Sequence, residues 1–197
     1  SLSKEGEDIR VVDGEEVLSF DAVILSSGAW VKELLEGLDY YVDVRPQKGQ
    51  LIELELETSE DTSKWPVCML HGEIDILPFP DGKILVGATH ENTQGFDLTP
   101  DEALLDGMYE EACESLPALR DAKRSGVRVG TRAYTSDFLP FFGKIPETSN
   151  AFVASGLGSS GLTSGVWIGE LLARLSAKES VDFAVENYLP KNYIRKT

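Results

Sequence analysis

Between Asn150 and Arg174 the chain reads NAFVASGLGSSGLTSGVWIGELLAR, and no other stretch restricts the fold so tightly. A short apolar run, Ala151 to Ser155, is followed by Gly156, Gly158 and Gly161 and then by an apolar segment with helical spacing. The pattern predicts a buried strand, a glycine turn and a long helix. Glycine lets the chain reverse at positive φ, and its missing Cβ lets the backbone approach a ligand closely. The first N–H groups of the helix have no partner inside it and can face an anion or a carbonyl oxygen. The G-x-G-x-x-G spacing is that of a dinucleotide-binding turn. Its place in the chain does not suit one that opens a nucleotide domain, which continues into several parallel strands with an acidic residue about 20 positions downstream. Only Ser176 to Thr197 follows here, with room for one more strand at Val181 to Val185. The turn is therefore expected to close over a cofactor held mainly by something else.

The earlier segments read as strands with few helices. Ile9 to Val12 and Glu16 to Phe20 form a predicted hairpin about Asp13-Gly14, a strong turn signal. Ala22 to Ser26 is a continuous apolar run that suits a strand buried on both faces, ending at Ser27-Gly28 before a helical pattern from Ala29 to Leu38. From Lys48 to Glu57 apolar and acidic residues alternate, the mark of a sheet with one wet face. Further strands are predicted at Val67 to Leu70, Ile74 to Leu77 and Lys83 to Ala88, with a turn over Pro78 to Gly82. Thr99-Pro100-Asp101-Glu102 has the composition of a capping box, with Thr99 as the cap. It precedes an apolar face of Leu104, Leu105, Met108, Ala112 and Leu116. Gly126 to Ala133 alternates again. The fold class that follows is α+β.

Charge and cysteine usage exclude several functions. Eighteen basic against thirty-four acidic residues leave a net charge of −16, which disfavours nucleic acid and anionic membrane surfaces as partners. Cys68 and Cys113 show neither a CxxC nor a Cys/His ligand spacing, so no metal site or disulfide framework is expected, and both are read as buried free thiols. No secretory signal opens the chain, and a cytoplasmic location is expected.

Few residues could carry chemistry. Arg132 lies two residues past Gly130 on one strand face, so open space is expected beside a guanidinium whose planar fork suits a carboxylate. A salt-bridged surface arginine is the competing interpretation, and Arg128 on the same face is read as structural. Gly161, Gly165 and Gly169 form a helical stripe that implies close approach of a backbone, a sheet or a cofactor. Helix–sheet packing would account for Gly165 and Gly169 but not for Gly156 and Gly158. His90 ends a strand, His71 sits in a polar turn, and no Ser/His/Asp, HExxH or Walker pattern accompanies either.

Three blocks, in order, resemble the C-terminal half of the FAD-dependent D-amino-acid oxidase, glycine oxidase and sarcosine oxidase family. DAVILSSGAW (Asp21 to Trp30) is similar to its strand and Gly-Ala-Trp turn along the flavin dinucleotide. RPQKGQLIELE (Arg45 to Glu55) and KILVGATHENTQGFD (Lys83 to Asp97) resemble strands of its substrate domain. GVRVGTRAYTSDFLPFFG (Gly126 to Gly143) followed by FVASGLGSSGLTSG (Phe152 to Gly165) resembles its signature end. The family's dinucleotide fingerprint has no counterpart here. Where glycine oxidases carry a histidine and an arginine after the glycine matching Gly156, this chain has Leu157 and Ser159, and a pocket tyrosine falls at Asp75.

The resemblance implies a mixed, mostly antiparallel substrate domain over residues 40–133. Residues 1–39 and 134–197 would be pieces of an FAD-binding α/β domain whose N-terminal Rossmann unit is missing. It implies Arg132, His90 and Asp75 as substrate-binding residues. Gly28, Ala29, Trp30, Gly156, Leu157, Gly158, Ser159, Ser160, Gly161 and Leu162 would line the cofactor. FAD would carry the reaction in the full-length parent, non-covalently bound, and be absent from this chain alone. The expected partners are a small amino acid or amine, oxygen or a quinone as electron acceptor, and a second copy in a homo-oligomer. A non-catalytic interaction domain derived from the fold and a stand-alone nucleotide-binding protein remain as alternatives.

Overall fold

The computed structural model describes residues 1–70 and 74–197; His71 lies outside the described residues. The first elements are β1 (Leu2–Glu5), β2 (Asp8–Asp13), β3 (Glu16–Leu18), β4 (Val23–Leu25), α1 (Val31–Glu36), β5 (Tyr40–Val42) and β6 (Arg45–Glu55). They are followed by β7 (Cys68–Met69), β8 (Asp75–Pro78), β9 (Lys83–Gly87), α2 (Glu102–Ser115) and β10 (Lys123–Tyr134). β11 (Phe141–Lys144), β12 (Ala151–Ser155), α3 (Gly161–Ser176) and β13 (Ile194–Lys196) close the chain. These elements form two compact units, one from Ser1–Pro46 with Arg132–Thr197 and the other from Gln47–Thr131. The class is α+β, with mostly antiparallel sheets and few helices.

In the first unit β12 lies between β11, antiparallel to it, and β4, parallel to it, with Ala151 opposite Val23 and Val153 opposite Leu25. Ala151 and Val153 enter a core with Ile9, Leu25, Leu35, Tyr40 and Phe141. Phe152 turns to the opposite side, under Ile168, Leu171 and Leu172 of α3. Burial on both faces is why β12 reads as an unbroken apolar run. β4 departs from that expectation, because α3 covers β11 and β12 and Ile24 stays 42% exposed. Asn150 ties the N-terminal hairpin to this sheet. Its Oδ1 accepts from Ile9 N (2.8 Å), and its Nδ2 donates to Ile9 O and Phe20 O (both 3.0 Å).

Several local expectations change. The helical pattern after Gly28 resolves into a 3-10 turn, Gly28–Trp30, and the short α1. Val181 to Val185 is not a strand. Val181 and Val185 instead pack, partly buried, onto the cluster under α3, and the exposed Phe183 ring meets Trp167 edge-on at 4.5 Å, without strand pairing. The closing strand is β13, antiparallel to β5.

The second unit is a five-stranded sheet in the order β10-β6-β9-β8-β7. Ile52, Leu54, Ile76, Ile84 and Val86 face α2 and pack against its Leu105, Met108, Ala112 and Cys113. Cys113 is buried as expected, whereas Cys68 on the edge strand β7 is only half-buried. The cap of α2 is Asp101 rather than Thr99. The Asp101 carboxylate accepts from Ala103 N and Leu104 N (3.1 and 3.2 Å), its charge favoured by the helix dipole. The Thr99 carbonyl accepts from Lys48 Nζ instead. Lys48 and Gln50, on the core side of β6, form a buried polar knot with the segment after β9. Gln50 Nε2 and Thr89 Oγ1 donate to Glu91 Oε1 at 2.7 and 2.6 Å, while Lys48 Nζ lies 3.7 Å from Glu91 Oε2.

Candidate functional site

Because β4 and β12 are parallel neighbours, both end on the same sheet edge, and each ends in a glycine turn. That edge, beyond the carboxyl ends of parallel strands, is where such sheets bind ligands. Ser155 Oγ donates to Gly28 O at 2.8 Å and joins the two turns. Gly28 has φ +56°, and a Cβ built on it would meet nothing within 4 Å. Beside it Ser27 Oγ is buried without a hydrogen-bond partner. Ala29 is buried, and Trp30 is 47% exposed.

Gly156 and Gly158 are glycines for a reason internal to the protein. With φ +75°, a Cβ on Gly156 would come within 2.8 Å of the Thr135 methyl and 3.1 Å of Leu139 O. One on Gly158, at φ +52°, would come within 2.6 Å of the Tyr134 ring. Packing thus accounts for the two glycines it was expected to leave unexplained. The stripe on α3 also differs from expectation. A Cβ on Gly161 or Gly165 would lie 3.7 or 3.5 Å from the Leu157 side chain, an ordinary contact, and one on Gly169 would meet nothing within 4 Å.

The start of α3 is open. No side chain caps it and its first turn carries no acid. Ser160 Oγ turns back to Leu157 O (2.8 Å), and the Thr163 and Ser164 hydroxyls donate to Ser160 O (2.9 and 2.8 Å). The first-turn N–H groups and the positive end of the helix dipole therefore face a site for negative charge. Ser159 is exposed, and the Leu162 side chain is 97% exposed.

Alternation along β10 puts Arg128, Gly130, Arg132 and Tyr134 on one face. Arg128 is spent on an ion pair with Glu53, whereas a Cβ on Gly130 would meet nothing within 4 Å. Arg132 is half-buried. Tyr134, which the sequence reading passed over, leans on Gly158 and shares a 2.8 Å hydrogen bond with Ser159 Oγ. Its spacing from Arg132 was the available signal. The loop that follows is pinned at Asp137. Burial works against the Asp137 charge, but hydrogen bonds from Leu139 N, the Tyr193 hydroxyl and the Thr135 hydroxyl hold its carboxyl below the usual value. Tyr193 is pushed up to about 12, by burial first and then by its 2.9 Å bond to Asp137.

His90 and Asp75 belong to the second unit. His90 lines a cavity of about 450 Å³ beside α2, with Leu104 and Met108. Asp75 pairs with Gly87 across the sheet, and alternation points it away from its neighbour Ile76, which faces α2. The structure thus gathers Gly28 to Trp30 with Gly156 to Leu162 but sets His90 and Asp75 on opposite faces. Among the described residues no cluster of His, Cys, Asp or Glu could hold a metal ion, and no helix is long and apolar enough to cross a membrane.

Comparison with known proteins agrees with this geometry. The chain is 39% identical to the uncharacterized oxidoreductase YurR of Bacillus subtilis over 173 residues, 86% of this chain and 46% of that protein. It is 34% identical to glycine oxidase of Pseudomonas putida over 154 residues, 78% of this chain and 40% of that one. Among solved structures, iminodiacetate oxidase from Chelativorans sp. BNC1 superposes with a TM-score of 0.92 at 32% identity, covering 96% of this chain and 52% of that chain. Glycine oxidase from Geobacillus kaustophilus shares the fold, with a TM-score of 0.88 at 22% identity over 96% of this chain and 50% of that chain. The chain spans about half the length of these relatives. The model of the FAD dependent oxidoreductase (DAO) family matches residues 1–175, and the chain belongs to that family.

Proposed function

We propose that this chain is part of an FAD-dependent enzyme that oxidises the C–N bond of a small amino acid or N-methyl amino acid to an imine. One observation carries the reading: two glycine turns and an uncapped helix start share one sheet edge, and Tyr134, two residues from Arg132, packs against them. The open space at Gly28, the unpartnered Ser27 Oγ and the free α3 N-terminus suit a large ligand with a partly negative edge. FAD, held by the turns at Gly28 and at Gly156 to Gly161, would supply a hydride acceptor for the carbon next to nitrogen, and water would hydrolyse the imine.

The protein's own groups orient and polarise. Arg132 clamps the substrate carboxylate and fixes the direction of the reacting C–H, a gain in proximity rather than acid–base work. The N–H groups between Gly158 and Leu162, apart from that of Ser160, which donates to Leu157 O, would stabilise negative charge that builds up as the reaction proceeds. Tyr134 holds the glycine turn through Ser159. Residues 47–131 would serve as substrate domain, and the electrons would pass to oxygen or a quinone. Identity to iminodiacetate and glycine oxidases supports small amino or N-substituted amino acids as substrates.

The test uses the full-length protein. It should purify yellow and be bleached anaerobically by glycine, sarcosine or iminodiacetate. Arg132→Ala should raise KM at least tenfold with flavin content unchanged, since losing one partner of a buried charged pair costs about 2–5 kcal/mol. A colourless protein, or flavin that no amine reduces, would refute the proposal.

A further inference from the structure

Two arginines of the first unit, Arg45 and Arg195, lie over an aromatic ring, and Arg45 is the one next to the strand that carries Arg132. Arg10, Arg120, Arg124, Arg128 and Arg174 each pair with a carboxylate. Among the described residues Arg45 has no such partner, although acidic residues outnumber basic ones thirty-four to eighteen. Its guanidinium lies over the Phe138 ring instead, 5.4 Å from the centroid.

Phe138 is itself held in an unfavourable state. Its φ is +64°, in the left-handed region that costs a side-chain-bearing residue about 1–2 kcal/mol. It is also 58% exposed, so burial does not offset that cost. The surrounding loop imposes it. Asp137 accepts from Thr135 Oγ1 (3.0 Å), Leu139 N (3.1 Å) and Tyr193 OH (2.9 Å). Ser136 donates to Asp43 through N (3.3 Å) and Oγ (2.6 Å). Strain that a rigid frame maintains is a pointer to function. The Phe138 ring also meets Tyr134 edge-on at 5.4 Å, which links Arg45 to the strand that carries Arg132.

Strand alternation gives the direction. Arg45 and Glu53 are an even number of residues apart on β6, as are Arg128 and Arg132 on β10. The Arg128–Glu53 ion pair puts those positions on one face of adjacent strands, so Arg45 and Arg132 emerge on the same side. An aromatic shelf holds the Arg45 cation in place, much as stacking preorganises guanidinium groups elsewhere.

We infer that Arg45, presented by Phe138, binds a second carboxylate, and that the site favours dicarboxylic amino or imino acids over monocarboxylic ones. The inference rests on the reading that Arg132 takes the first carboxylate. It is tested by binding as well as by turnover. Calorimetric titration of the full-length, flavin-loaded protein with succinate and with butyrate compares probes of equal length that differ in one carboxylate and have no C–N bond to oxidise. Succinate should bind at least tenfold tighter. Arg45→Gln should remove that preference, a loss of about 10- to 100-fold for a charge-assisted contact. Phe138→Gly should weaken it too while leaving stability unchanged or improved, since glycine accepts the backbone angle.

In turnover, kcat/KM for iminodiacetate should fall relative to sarcosine in both variants. A succinate preference that survives Arg45→Gln overturns the inference, as does a variant that loses flavin rather than succinate. Failure of the oxidation reading would appear separately, as flavin that neither amine reduces, and the succinate comparison would still decide the role of Arg45.

Discussion

Gly158→Ala isolates the contact on which the glycine turn depends. Two costs follow from the geometry. At φ +52° an alanine enters the left-handed region, at about 1–2 kcal/mol. Its Cβ would also sit 2.6 Å from Tyr134 Cε1 and 2.7 Å from Cζ. The ring must then retreat by roughly 1 Å to restore ordinary carbon contact, which stretches the Tyr134–Ser159 hydrogen bond, a net of about 0.5–1.5 kcal/mol. Together the substitution should cost about 2–3 kcal/mol, roughly a 30- to 150-fold shift in the folding equilibrium. Urea unfolding followed by tryptophan emission suits the measurement, because Trp30 and Trp167 both lie in the affected unit. The control is Gly158→Ala in a Tyr134→Ala background. Without the ring only the backbone cost remains, so the increment should drop to about 1–2 kcal/mol. An equal cost in both backgrounds, or a neutral single variant, would show that the Tyr134 contact does not shape the turn.

Three further substitutions test other joints. Asn150→Ala removes three side-chain hydrogen bonds and strands buried groups of Ile9 and Phe20, so chemical unfolding should show a loss of about 2–4 kcal/mol. Lys48→Met leaves Glu91 buried without its cation and should cost about 3–5 kcal/mol by the same measurement, with Lys48→Met/Glu91→Gln recovering much of it. The Tyr193 hydroxyl keeps its proton more tightly when folded than its unfolded value of 10.0, so its stabilisation is complete below pH 10 and is lost as pH rises through about 12. Tyr193→Phe should therefore flatten the alkaline limb of a stability–pH profile over that window, and an unchanged limb would assign it to other groups.

What the sequence discloses here is mostly what one segment decides alone. β12, its turn and α3 were legible because an apolar run, three glycines and a helical period lie side by side. β6 was legible from its alternation. Pairing between distant segments was not. The run LSKE carries no apolar signal yet forms β1, because β2 supplies its backbone partners. VDFAV looks like a strand but rests on α3 through the side chains of Val181 and Val185, with no strand beside it. Within the site, the glycines were visible from their spacing, but their cause was not, since Tyr134 and Thr135 approach them from a remote part of the chain. Thr99 lost the cap to Asp101 because the helix starts at Glu102, which puts the Asp101 carboxylate in reach of Ala103 N and Leu104 N.

The first unit is discontinuous, since β4 cannot find β12 until the whole of Gln47–Thr131 has been made. At synthesis rates of about 5–20 residues per second, the early segment waits roughly 6–25 seconds before its partner strand emerges. The second unit can complete its own sheet first. Its ends run along the hydrogen-bonded neighbours β6 and β10, so its folding replaces a loop of about 85 residues with a short one. By loop-closure arithmetic that shortening eases the joining of β4 to β12 by roughly 1 kcal/mol. The insertion would thereby act as an internal assembly aid for the unit that it interrupts.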